Sequence, residues 1–260
     1  MSLKTISGVG VLACATMLLA ACGGSSGNPD RPAATTTSSG NSTSSSGNSA
    51  SASSSTPSPS PTATPATAAQ LKKIVLQPAD LPGWKATPAE PDSPSDASDQ
   101  AKLVACAGGK NTDADKLADV SSDDFALGDA TVSSSASSYK SQSDLDADIA
   151  LLHSPKLSTC YQNLAKSAMA TSLPAGTTID SVSVKVSPGP GTGPANVAGA
   201  GVATVMVRAN GQQVPVYVSF AYITGPLIEA EVDTENVGTP VPPATVQALV
   251  TKVAERAANG

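Results

Sequence analysis

The sequence predicts an α+β domain: a mostly antiparallel, twisted sheet of four or five strands that ends in a C-terminal meander and is packed by helices. Three observations carry this. Apolar residues recur at helical spacing in separate runs, such as Leu157, Cys160, Leu164 and Ala168, or Val246, Leu249, Val250 and Val253. After Gly176 the period changes to two, with Val182, Val184 and Val186 alternating with polar residues. Asn210-Gly211 then separates two alternating runs, and a third run follows too closely for a crossover helix, so these strands are antiparallel neighbours.

Taken in order, residues 1–21 have the layout of a lipoprotein signal peptide, with Lys4 ahead of an apolar stretch from 6 to 21. The stretch is rich in small residues and falls short of the about 20 strongly apolar residues of a comfortable membrane span. It stops at Leu19-Ala20-Ala21-Cys22, which resembles the bacterial lipobox: small residues fit the signal peptidase, and Cys22 becomes the first mature residue and takes the lipid. Cys14 has a similar local context, but the apolar run ahead of it is much shorter. Two acyl chains suffice for stable anchoring, so the expected location is the cell membrane, lipid-anchored and facing the extracytoplasmic side. In residues 35–64, 20 of 30 are Ser or Thr, and no large apolar side chain interrupts them. Such composition cannot offset its ordering entropy, so residues 22–66 are expected to form the lipidated cysteine and a disordered tether. As a coil it spans roughly 35–40 Å.

The extracytoplasmic domain is then residues 67–260, long enough for a real core. Thr67 caps a helix carrying Leu71, Ile74 and Val75, and Asp80-Leu81-Pro82-Gly83-Trp84 turns into a short strand. A helix over 98–107 carries Leu103, Val104 and Cys106 and stops at Gly108-Gly109. Residues 117–120 read as a helical turn, and 129–140 as a strand of small side chains. Ser143 is the expected cap of a helix bearing Leu145, Ile149 and Leu152, with Asp144, Asp146 and Asp148 in its first turns. Ser154-Pro155 starts the helix that places Cys160 toward the core. In the strand after Asn210-Gly211, Val214, Val216, Val218, Phe220 and Tyr222 share the face expected to be buried. The last strand alternates Ile228, Ala230 and Val232 with Glu229, Glu231 and Asp233, and its acidic face is expected to meet water.

Charge and cysteine use exclude several functions. A net charge of −6 without a basic cluster disfavours nucleic acid. Beyond the membrane, Cys106 and Cys160 are an even pair in an oxidising compartment and read as a disulfide, which in the chain-entropy view stabilises by roughly 4 kcal/mol. A redox or nucleophilic pair would want Cys-x-x-Cys spacing or a nearby histidine. His153 is the single histidine, so no histidine-rich metal centre and no cofactor is expected. It reads as a cation at a helix C-terminus. Ser137 and Lys140 have the Ser-x-x-Lys spacing of penicillin-binding enzymes, but Ser-Asp-Asn and Lys-Thr-Gly partners are missing. The glycine-proline run 189–193 lacks the Gly-Lys-Ser/Thr ending of a phosphate loop. The chain therefore reads as no enzyme.

The lipobox, the Ser/Thr-rich tether, Asp80-Leu81-Pro82-Gly83 and Leu151-Leu152-His153-Ser154-Pro155-Lys156 leading into Cys160-Tyr161 together resemble the secreted lipoproteins of mycobacteria and related actinobacteria. The resemblance implies a folded part similar to the extracytoplasmic sensor domain of a mycobacterial Ser/Thr kinase, or to a PsbP-like α/β sandwich. That sensor has two disulfides around a cleft, whereas this domain offers one, and no kinase domain is present. The expected function is a non-catalytic binding or sensing module in the cell envelope, its partner an envelope protein. Trp84 is a candidate anchor, or else a core plug. The alternative is a carrier of a lipid or other apolar ligand in an internal cavity, for which the small residues of 129–140 would leave room.

Overall fold

The computed structural model describes residues 63–91, 94–173, 176–189, 194 and 196–259. The signal, the lipobox with Leu19, Ala20, Ala21 and Cys22, and the tether up to residue 62 lie outside them, as do most positions of the glycine-proline run. Ala66 is already part of the core. Thr67 caps α1 (Ala68–Ile74) through a reciprocal box: its hydroxyl accepts from the Gln70 amide and Gln70 Oε1 accepts from the Thr67 amide. A 3-10 turn (Pro78–Asp80) follows, then β1 (Lys85–Thr87) and α2 (Pro94–Ala107), which starts about one turn earlier than its apolar spacing indicates. Gly108 ends α2 at φ +80°, where an L side chain would be strained.

Next come β2 (Lys116–Ser121), β3 (Asp124–Leu127), β4 (Ala130–Tyr139), α3 (Gln142–Ile149), a 3-10 turn (Ala150–His153) and α4 (Leu157–Ser172). The expected helical turn at 117–120 is strand instead. Leu117 and Val120 share helical spacing, but the residues alternate between half-buried and exposed because they pair with β4. The cap of α3 is Ser141 and not Ser143: the Ser141 hydroxyl accepts from the Asp144 amide, so the helix begins two residues earlier. Ser154 donates its hydroxyl to Ala107 O, linking the end of α2 to the start of α4.

The chain closes with β5 (Thr177–Pro188), β6 (Val197–Ala209), β7 (Gln212–Gly225), β8 (Ile228–Val237) and α5 (Pro243–Ala258). Asn210 and Gly211 both take positive φ, 52° and 79°, as the two-residue hairpin between β6 and β7 requires. All pairings are antiparallel, in the order β1-β3-β4-β8-β7-β6-β5, with β2 also on β4. The sheet has eight strands, more than the four or five expected. The short strand expected after Trp84 is β1, and the strands not foreseen are β2 and β3, of 6 and 4 residues, too short to display a period.

Helices cover both faces. On one face Leu71, Ile74 and α5 residues Leu249, Val250 and Val253 pack on Val132, Ala136, Ile223, Ala230 and Val232. Asp80 locks this layer: Arg256 donates to both of its carboxylate oxygens at 2.8 and 2.7 Å, and the Gln77 amide donates at 2.8 Å. On the other face Leu103 and Val104 of α2 and Leu157 and Cys160 of α4 pack on Phe220 and Tyr222. Farther along that face Val182, Val205, Val207 and Val216 close a third cluster under Ala165. The same helix α4 reaches the outer edge of β5. The Val186 amide donates to Ser158 Oγ at 3.1 Å, and Gln162 Nε2 donates to Val182 O.

Candidate functional site

Alternation along β8 sends Glu229, Glu231, Asp233 and Glu235 to one face of the sheet. The expectation that this face meets water is overturned: Glu229 and Glu231 are 4 % and 3 % exposed. The reason is strand order. β8 is central, with Ser137, Ser135 and Ser133 of β4 opposite Glu229, Glu231 and Asp233 on one side and Thr224, Tyr222 and Phe220 of β7 opposite them on the other. Helices α2 and α4 lie on the Phe220 and Tyr222 side chains of this same face.

The inner end of the row is a hydrogen-bonded knot. Tyr139, at the end of β4, donates its hydroxyl to Asp148 of α3, and the same hydroxyl lies 3.1 Å from Glu229 Oε2. Asp148 therefore does not serve the helix N-terminus as expected: it lies at the other end of α3, and it is 1 % exposed. Burial pushes the Glu229 carboxyl up to about 7, the Asp148 charge adds to this, and Lys116 opposes it. Burial and both carboxylates push the Tyr139 phenol far above its ordinary range. The Lys116 side chain is only 10 % exposed and lies 3.1 Å from Asp113. Burial works against its charge, but Asp113, Glu229, Asp119 and Asp148 outweigh that and raise its pKa.

Glu231 occupies the middle of the row. Burial and then the Asp233 charge push its carboxyl well above the usual carboxylate range, against a hydrogen bond with Tyr222. Its Oε2 has no hydrogen-bond partner, a costly state for a buried acceptor. Rings flank it. The Tyr222 and Tyr161 hydroxyls are 3.2 Å apart, Tyr161 stacks on Phe220 with centroids at 5.3 Å, and Phe220 meets Tyr222 edge-on at 5.7 Å. Phe220 lies directly over Gly201, where an added Cβ would come within 2.1 Å of its ring. At the outer end Asp233 and Glu235 are half-buried, and burial alone pushes Glu235 up to about 7. The row thus runs from an enclosed end to a half-open one, with protons held at the enclosed end and aromatic faces beside it. Carboxyls and aromatic faces of this kind complement cationic and hydrogen-bond-donating groups.

Other residues singled out in the sequence are distributed elsewhere. Cys106 and Cys160 form a disulfide, S–S 2.03 Å and Cα–Cα 5.8 Å, that joins α2 to α4 above the aromatic cluster. Trp84 is half-buried against the opposite core, as a plug. His153 is exposed at the end of its 3-10 turn. Ser137 donates to Asp119 Oδ2 at 2.7 Å, while Lys140 Nζ donates to Ala114 O, so the Ser-x-x-Lys spacing brings no nucleophile and base together. The acid row itself was misread because the strand that completes its burial, β4, lies some 90 residues earlier, and no local pattern announces that pairing. The signal present was the run of serines in β4, whose hydroxyls suit a polar neighbour.

The sequence matches no family model, and it matches no curated protein. Among solved structures, the fold is similar to the extracellular domain of PknH from Mycobacterium tuberculosis, at a TM-score of 0.40 and 10% identity over 76% of this chain and 99% of that one.

Proposed function

We propose that this chain is a lipid-anchored, extracytoplasmic, non-catalytic binding module that holds a small polar ligand against the acid row of β8. The observation that carries the reading is Glu231: a carboxyl 3 % exposed whose Oε2 lacks a partner, set among Tyr222, Tyr161 and Phe220. A buried acceptor without a partner is costly, and a bound donor would relieve that cost. The disulfide between Cys106 and Cys160 suits an oxidising compartment, and Cys22 supplies the anchor. The lipid-carrier alternative gains no comparable support. Two of the small side chains of β4 are engaged as hydrogen-bond partners, Ser134 accepting from the Leu76 amide and Ser137 donating to Asp119.

Full-length protein extracted from bacterial membranes is the material for the test. Native mass spectrometry should show a stoichiometric small molecule that the Glu231→Gln variant loses. Feeding a clickable fatty acid should label the wild type and leave Cys22→Ser unlabelled. A bare protein mass in both Glu231 forms would remove the ligand site, and an unlabelled wild type would remove the anchor.

A further inference from the structure

We propose that the face of the domain formed by α1, α5 and the open part of strands β5 to β7 docks on an anionic phospholipid bilayer, with Lys72, Lys73 and Lys185 against the headgroups. This is the face opposite the acid row, and the inference rests on the anchor part of the reading above only in so far as the anchor keeps the domain near a membrane. Charge is divided unevenly between the two faces. The docking face holds six of the 13 Lys and Arg in residues 67–260 but only three of the 20 acids, Asp80, Asp180 and Glu255. Asp80 is taken by Arg256 and Lys252, and Asp180 by Arg208. Lys72 and Lys73, exposed on α1, and Lys185, exposed on β5, have no ion pair among the described residues, and only Glu255 stands against them. The β8 acids and Asp148 of α3 lie on the other face, so an anionic surface is repelled from that side and drawn to this one.

The uncharged part of the face suits the same partner. α5 packs on Ala221 and Ile223 of β7 and Val232 of β8, and beyond them the same side of the sheet is open. There Val202 is 55 % exposed, Met206 is half-buried along β6, and Tyr217 and Pro215 are half-buried beside them on β7. Lys185 stands directly opposite Val202. Apolar and tyrosine side chains next to an ammonium are the composition that settles at headgroup level. The chain also enters on this side: Ala66, at the start of the described domain, is packed in the layer of α1 and α5. Three free ammoniums attract a bilayer only weakly on their own, but an anchored chain makes the contact intramolecular, where weak attraction suffices. Docked in this way, the domain turns the acid row and the layer of α2 and α4 away from the membrane.

Full-length protein reconstituted into vesicles that carry a dansyl lipid tests this, through energy transfer from Trp84, the single tryptophan, which packs on the layer of α1 and α5. Transfer in phosphatidylcholine with about one third phosphatidylglycerol should exceed that in phosphatidylcholine alone, and should fall to the neutral level at about 1 M salt, where charges are screened within about 3 Å. Lys72→Gln, Lys73→Gln and Lys185→Gln combined should remove the excess. Lys102→Gln, Lys156→Gln and Lys166→Gln combined remove the same charge from exposed positions on the side of α2 and α4, and should keep it. If the chain proves to carry no lipid, co-flotation with the anionic vesicles decides instead, weakened about tenfold or more by the first triple variant and not by the second. Equal transfer in both vesicle types, or equal loss in both triple variants, would overturn the docking face. Loss of the excess on adding polygalacturonate at matched charge would overturn the bilayer as partner and give the face to an anionic polymer.

Discussion

Single carboxyls in this protein work in opposite directions. Burial alone would raise the Asp80 pKa, but hydrogen bonds from Arg256 and the Gln77 amide, with the Arg256 and Lys252 charges, hold it below its ordinary 3.8. Its contribution is therefore complete above pH 3.8 and lost as pH falls through the lower, folded value. Asp80→Asn is expected to cost about 2 kcal/mol at neutral pH by leaving Arg256 without its forked partner, read as a lower urea midpoint. Glu235 has the reverse sign. Its folded pKa is raised to about 7 from 4.5, so it stabilises fully below pH 4.5 and loses that contribution as pH rises through 7. Urea midpoints measured between pH 4.5 and 8 should fall across that window, and Glu235→Gln should flatten the fall. If the variant and wild-type profiles superimpose, burial is not what holds that proton. In the sequence Asp80 was legible as part of a turn, but its partner 176 residues away was not. The acids of β8 were legible as a row and misjudged as to environment, because burial is decided by what pairs on both sides.

At the scale of elements, what could be read was whatever is encoded locally. The Thr67 cap, the Asn210-Gly211 turn, Gly108 after α2 and the apolar stripe of α5 each lie within a few residues of the structure they cause. The 3-residue β1 is announced by the turn before it, but the 4-residue β3 carries no such code; it exists because neighbouring strands offer unpaired backbone. The α2 to α4 link was readable from cysteine count alone. Replacing Cys106 and Cys160 together by alanine should lower stability by about 3–4 kcal/mol for a separation of 54 residues, seen as a shift in the thermal midpoint. Because α2 and α4 jointly hold Phe220 and Tyr222, the near-ultraviolet dichroism of those rings should weaken in the same variant before the far-ultraviolet signal does. Simultaneous loss of both signals would mean the layer and the sheet unfold as one unit.

Across the whole molecule, the meander β5 to β8 was foreseeable and its junction with β4 was not, since that junction closes 90 residues of chain and depends on how two distant strands match. The junction makes one continuous sheet with helices on both faces, and it turns the acidic side of β8 inward. A long sheet must also end somewhere. One end is β1, only three residues long; the other is β5, twelve residues, where Ser158 and Gln162 of α4 take the bonds that Val186 N and Val182 O would otherwise offer. Ser158→Ala combined with Gln162→Ala should leave the fold intact and raise the fraction of dimers and larger species in analytical ultracentrifugation; a strictly unchanged distribution would show that α4 guards the edge by bulk alone. Wherever copies meet repeatedly in matching orientations, an edge already occupied from within the same chain keeps frequent collision from becoming templated growth.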